Sequence, residues 1–277
     1  MNQVQLHTII KDAFIEDHGM GDVTSDIIFS SGQVSRGTFT AKASGTLAGL
    51  AIIEEAYHML DKSIEVVLNK ADGETVSKGD SIAIVHGSTK ELLKGERVIL
   101  NLLQHMSGIA TATAQTIKAL DDNTIRVCDT RKTIPGLRML QKYAVTCGGG
   151  FNHRFRLDDG IMIKDNHIKA AGSIGNAVEK VRAKAGHMIK VEVETETQEQ
   201  VLEAVAAGAD VIMLDNRSPE QVKEWVGLIP DHIITEVSGG ITPDTIRNYK
   251  GAGVNYISLG WLTHSVKALD ISFNLTV

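Results

Sequence analysis

From about residue 120 onward the chain alternates short apolar runs with helical patterns, and this alternation narrows what it can fold into. The strand-like runs are Ile125-Arg126-Val127-Cys128, Ile161-Met162-Ile163, Ile189-Lys190-Val191-Glu192-Val193, Val211-Ile212-Met213-Leu214, Ile233-Ile234-Thr235-Glu236-Val237 and Val254-Asn255-Tyr256-Ile257. Helical patterns lie between them, for example Gln198 to Ala207 and Pro219 to Leu228. A strand joined to the next through a helix must run parallel to it, and repetition of such units predicts a closed or nearly closed barrel.

The first half has a different grammar. Gly37 to Ala41, Ile64 to Leu68 and Ser81 to Val85 read as strands separated by turns, with a helix from Leu50 to Leu60 among them. This predicts an α+β layer. The turn Asp72 to Asp80 resembles one from biotinyl and lipoyl carriers, but Lys78 beside Gly79 reads as an ordinary turn residue. A long helix is expected from Lys90 to about Leu120.

A formal charge of −6, a pI near 5.9 and no long basic stretch argue against nucleic acid as a partner. No run approaches the ~20 apolar residues of a membrane span, and the start lacks the features of a signal peptide. Cys128 and Cys147 are too few for a disulfide scaffold, and neither is read as a nucleophile. Cytoplasm is the expected location.

Each strand-like run is followed closely by residues able to bind or catalyse: Thr130 and Arg131, Lys164, Glu194, Asp215, Ser238-Gly239-Gly240 and Ser258-Leu259-Gly260. In a β/α barrel these positions converge on the C-terminal rim. The cations Arg131, Lys132, Arg154, Arg156 and Lys164 sit at the ends of apolar segments, near the triplet Gly148-Gly149-Gly150, and point to a small anion. The two serine-glycine turns, each expected to open toward a helix, suit phosphate. Glu194 and Asp215 suit magnesium or ribose hydroxyls. No histidine pair has metalloenzyme spacing.

These residues extend into a pattern over nearly the whole chain. It includes Glu16-Asp17-His18-Gly19-Met20-Gly21-Asp22, Gly95-Glu96-Arg97-Val98, Thr130-Arg131-Lys132-Thr133, Gly148 to Arg154, Ile163 to Ile168, Val191-Glu192-Val193-Glu194, Leu214-Asp215-Asn216, Ser238-Gly239-Gly240 and Leu262-Thr263-His264-Ser265. The pattern resembles the quinolinate phosphoribosyltransferases, also called nicotinate-nucleotide pyrophosphorylases (carboxylating). Phe155-Arg156 departs from it where a small residue is common, and Arg156 is read as a surface residue.

The resemblance implies an N-terminal α+β sandwich over residues 1–112, to which 269–277 returns, and an incomplete α/β barrel over 113–268. It implies a pentosyltransferase of NAD biosynthesis, converting quinolinate and 5-phosphoribosyl-1-pyrophosphate to nicotinate mononucleotide, pyrophosphate and CO2. Arg97, Arg131, Lys132, His153, Arg154 and Lys164 would hold quinolinate. Lys164, Glu194, Asp215, Ser238, Gly239, Gly240, Ser258, Leu259, Gly260 and His264 would hold the donor, with Lys132, Lys164, Glu194 and Asp215 catalytic. Magnesium at Glu194 and Asp215 is implied, with no organic cofactor. So is a homodimer, or an oligomer of dimers, in which Arg97 serves the partner's site. Two other readings stand at this point. One is the sister group associated with molybdenum transport operons, which Asn152-His153-Arg154 and Lys164-Asp165-Asn166-His167 disfavour; the other is a phosphosugar-binding barrel without turnover.

Overall fold

A computed structural model describes residues 1–30 and 32–276; Ser31 and Val277 lie outside the described residues. The chain divides into two compact units.

The first unit comprises residues 1–114, 133–149 and 261–277. Its strands are β1 (Val34–Ala41), β2 (Gly45–Thr46), β3 (Glu65–Leu68), β4 (Thr75–Val76) and β5 (Ser81–Ser88). A four-stranded sheet runs in the order C-terminal strand (Ile271–Thr276), β1, β5, β3, and all its pairings are antiparallel. Alternation in β1 turns Phe39 and Ala41 inward, and Phe39 packs against Phe273 of the C-terminal strand with ring centroids 4.8 Å apart and the rings tilted at 46°. Helix Ala51–Leu60 buries Ile52, Ile53, Ala56 and Tyr57, and helix Thr89–Leu120 adds Leu92, Ile99, Leu103 and Met106 to the same core. Residues 133–149 and 261–268, which the sequence boundaries assign to the barrel, fall in this unit.

The second unit comprises residues 115–132 and 150–260. Its strands are β6 (Arg126–Cys128), β7 (Ile161–Ile163), β8 (Val191–Thr195), β9 (Val211–Asp215), β10 (Ile234–Ser238) and β11 (Tyr256–Ser258). They form one parallel sheet in the order β6-β11-β10-β9-β8-β7, open between β6 and β7. The helices between strands start at capped positions. Ser173 and Thr197 accept backbone N–H bonds from Asn176 and Gln200, and Ser218 with Gln221 forms a capping box ahead of Pro219. Their apolar faces, such as Val222 and Trp225, are buried. Parallel strands capped in this way bring every strand's C-terminal end to the same side, which is what builds a site.

Candidate active site

Strand register lays the inward residues in rows. Arg126, Tyr256, Glu236, Met213 and Glu194 are neighbours across β6, β11, β10, β9 and β8. One step toward the strand ends, Ser258, Ser238 and Asp215 form the next row. Above these rows opens a cavity of about 500 Å3, walled by Thr130, Arg131, Lys132, His153, Arg154, Lys164, Glu194, Asp215, Ser238, Gly239, Gly240 and Ser258, with Met162, Met213 and Asn216. The structure thus brings together most of the residues singled out in the sequence. Arg97 and His264 belong to the first unit, where both are exposed. Arg156 is also exposed.

Charge is arranged by local structure. Lys164 follows β7 directly, and its ammonium pairs with Glu194 Oε2. Its backbone N–H donates to His167 Nδ1 at 3.0 Å, which fixes the start of helix Asp165–Ala171. Burial, with the Glu194 charge adding to it, raises the Asp215 carboxyl above the ordinary carboxylate range. Burial lowers the Arg154 guanidinium, with Arg131 adding like-charge repulsion. Arg154 Nη1 donates to the Gly160 carbonyl at 2.6 Å.

The phosphate-type turn departs from expectation in two respects. Gly239 (φ 87°) and Gly240 (φ 66°) adopt the left-handed conformation, but the next helical turn, Ile246–Tyr249, begins well downstream. Any N–H donors there come from the turn itself and not from a helix end. Leu259 is buried and its N–H donates to the Cys128 carbonyl at 2.9 Å, because the β11–β6 ladder continues past Ser258. That N–H is not available to phosphate.

His153 is held differently from the cations of the wall. Its Nδ1 accepts the backbone N–H of Arg154 at 2.8 Å, and its Nε2 lies 3.1 Å from Glu192 Oε2 and 3.7 Å from Glu236 Oε1. A ring nitrogen that accepts carries no proton, so the proton sits on Nε2 and the ring is neutral. Glu192 lies within a family-like motif but has no role assigned from sequence, and Glu236 lies outside the motifs. A carboxylate in the middle of a buried parallel strand was the signal that could have found them.

Two family models match the chain: quinolinate phosphoribosyl transferase, N-terminal domain, over residues 22–107, and the C-terminal domain of the same family over residues 109–274. The chain belongs to the quinolinate phosphoribosyltransferase family. Within it, a Bacillus subtilis protein described as a probable nicotinate-nucleotide pyrophosphorylase (carboxylating) is 55% identical over 277 residues, covering 100% of this chain and 96% of the relative. The crystal structure of NadC from Streptococcus pyogenes is 43% identical with a TM-score of 0.97, covering 100% and 98%. The nicotinate-nucleotide pyrophosphorylase from Francisella tularensis is 34% identical with a TM-score of 0.93, over the same shares. The α/β class and the open parallel barrel of the second unit accord with this family of pentosyltransferases. Among the described residues no helix is long and apolar enough to cross a membrane.

Proposed function

We propose that this chain transfers the phosphoribosyl group of 5-phosphoribosyl-1-pyrophosphate to quinolinate and releases nicotinate mononucleotide, pyrophosphate and CO2, in the de novo synthesis of NAD in the cytoplasm. The observation that carries this reading is one cavity with cations on one wall, carboxylates at its centre and a glycine turn opposite. Quinolinate is a dianion. At an effective dielectric near 20, each cation about 4 Å away contributes roughly 4 kcal/mol of gross attraction before desolvation. Arg131, Arg154 and Lys132 serve the two carboxylates, and His153 contributes a neutral ring edge and not a charge.

Bond breaking at the anomeric carbon leaves positive charge on the ribosyl ring and negative charge on the departing pyrophosphate. Glu194 and Asp215 face the first, Lys164 and Lys132 the second. The Lys164 ammonium is paired with Glu194 before substrate arrives. Once the ring nitrogen carries ribose it is a pyridinium, its positive charge stabilises the electron pair left on the adjacent carbon when the carboxylate leaves as CO2, and that carbon then takes a proton from solvent. No base is required. The turn Ser238-Gly239-Gly240 takes the 5′-phosphate.

Glu194 and Asp215 stand on neighbouring strands and offer hard oxygen donors, a set that fits magnesium shared with substrate phosphates. Such an ion would neutralise charge on the leaving pyrophosphate. The working form is a homodimer in which Arg97 serves the partner's cavity. Arg97 is exposed on helix Thr89–Leu120, and Met20, Val23, Ile27 and Ile28 leave apolar surface near the N-terminus. Incubation with quinolinate, 5-phosphoribosyl-1-pyrophosphate and magnesium tests the assignment. Nicotinate mononucleotide and CO2 should appear in equal amounts, and comparable turnover of nicotinate would defeat it, because a missing carboxylate forfeits the attraction of one group of wall cations.

A further inference from the structure

Beneath the cavity just described, His153, Glu192 and Glu236 bring one ligand atom each within 4.8 Å of one another. Glu192 is 7% exposed and Glu236 4%, and one oxygen of each carboxyl has no hydrogen-bond partner. Such a trio invites a divalent metal. The histidine argues against it. A metal on Nε2 requires the ring proton on Nδ1, yet Nδ1 accepts the Arg154 N–H at 2.8 Å.

The carboxyls do not face the substrate cavity. They line a second cavity of about 300 Å3, with Asn152, Asp159, Lys190 and Tyr256. His153 and Arg154 stand in the walls of both cavities. These two residues connect the carboxyls to the acid-binding wall. The segment before them is already held: buried Asp129 accepts from Asn152 Nδ2 at 2.6 Å and from the His153 N–H at 2.9 Å.

We propose that Glu192, supported by Glu236, is a positioning residue for the acid-binding wall: it accepts a hydrogen bond from His153 Nε2–H, fixes the ring in that tautomer, and leaves Nδ1 to lock the Arg154 backbone so that the guanidinium meets the substrate carboxylate. An imidazolium could not do this, since a protonated Nδ1 cannot accept from Arg154. Glu236 lies 3.7 Å from the same Nε2 and is pushed up by burial and by the Glu192 charge, so it presents less negative charge to the ring than an ordinary carboxylate would. The proposal rests on the phosphoribosyltransferase reading for its kinetics but not for its spectroscopy.

The test uses the full-length protein and Glu192→Leu, Glu192→Gln and Glu236→Gln. Nitrogen NMR of the His153 ring should show protonated Nε2 and bare Nδ1 in the unaltered protein whether or not it turns over quinolinate; the reverse pattern overturns the proposal. Glu192→Leu should raise KM for the acid substrate about tenfold, the size of one lost charge-assisted hydrogen bond. KM for the phosphoribosyl donor should stay put. Glu192→Gln, whose carbonyl still accepts from Nε2, should restore most of the loss. If Glu192→Leu does not fold, the Gln variant decides: an altered tautomer or a tenfold rise in acid KM there overturns the proposal. Equilibrium dialysis of the unaltered protein with zinc covers the rival reading, and stoichiometric zinc abolished by Glu236→Gln would overturn it too.

Discussion

The side-chain amide of Asn216 donates to Asp215 Oδ2 at 2.6 Å while its backbone N–H donates to the Ser238 carbonyl at 2.8 Å. One residue thereby ties a central carboxylate to the start of the glycine turn. It does so at φ 54°, a left-handed conformation that asparagine tolerates better than most residues. Asn216→Ala should cost roughly 1–2 kcal/mol of stability and raise the Asp215 carboxyl further, since the amide bond, ahead of the Lys164 charge, lowers it. Asn216→Gly keeps the backbone and loses only the amide. If thermal melts place Ala and Gly together while activity falls equally, backbone strain has no part in the effect.

Gly239 is the second half of that tie. A Cβ there would run into the Asn216 side chain and come within 3.0 Å of its backbone nitrogen, at φ 87°. Gly239→Ala should therefore weaken donor binding and also disturb Asp215 through Asn216, so kcat falls along with donor affinity. Calorimetric titration with each substrate separates the two. Quinolinate binding should change least.

Glu236 gives a stability signature with a definite sign. Its carboxyl rises from an ordinary 4.5 to about 7, with burial the larger cause and the Glu192 charge the next. A raised folded value means the native state binds the proton more tightly than the unfolded chain. Stability is then fully present below about 4.5 and is lost as pH rises through about 7. Glu236→Gln removes this dependence. Relative to the unaltered protein, the variant should gain on the order of 2 kcal/mol between pH 5 and pH 8. Denaturant melts across that range check it, and a constant difference would deny the shift.

The alternation of runs sufficed to read the barrel strands, since β6 to β11 each fall within two residues of an apolar run in the sequence. Strand-end residues were legible for the same reason: period-two geometry places Glu194 and Asp215 on one face whatever the loops do. What escaped was long-range. Residues 133–149 carry a helix indistinguishable by pattern from a barrel helix, yet they group with the first unit through contacts such as Gln141 to His105 and to the Thr263 carbonyl. The hydrogen bond from the Arg154 N–H to His153 Nδ1 is local in sequence but depends on backbone angles that residue types do not fix. The Leu259 N–H, similarly, is claimed by β6 across the sheet.

Arg154 separates the acid subsite from the donor subsite. Its guanidinium is depressed by burial and by Arg131, so it gains when a carboxylate arrives. Arg154→Ala should weaken quinolinate binding by roughly 2–5 kcal/mol, the usual loss when one partner of a buried charge pair is truncated. Binding of 5-phosphoribosyl-1-pyrophosphate should be nearly unchanged. The opposite pattern would move the acid away from this wall.

Arg97 tests the shared site. It is exposed on helix Thr89–Leu120 and takes no part in the cavity wall of the second unit, whereas Lys164 stands in that wall. If Arg97 serves the partner's cavity, Arg97→Ala and Lys164→Ala chains should each be inactive alone. Mixed dimers restore one site, because the chain with intact Lys164 receives intact Arg97 from its partner, while the other site loses both. Random exchange between equal amounts of the two variants makes about half the dimers mixed, so the mixture should recover roughly a quarter of full activity in a twofold-symmetric dimer. Differently tagged chains purified through both tags raise that to roughly half. No recovery in the doubly purified dimer would mean that each chain supplies its own Arg97, or that Arg97 acts outside the site.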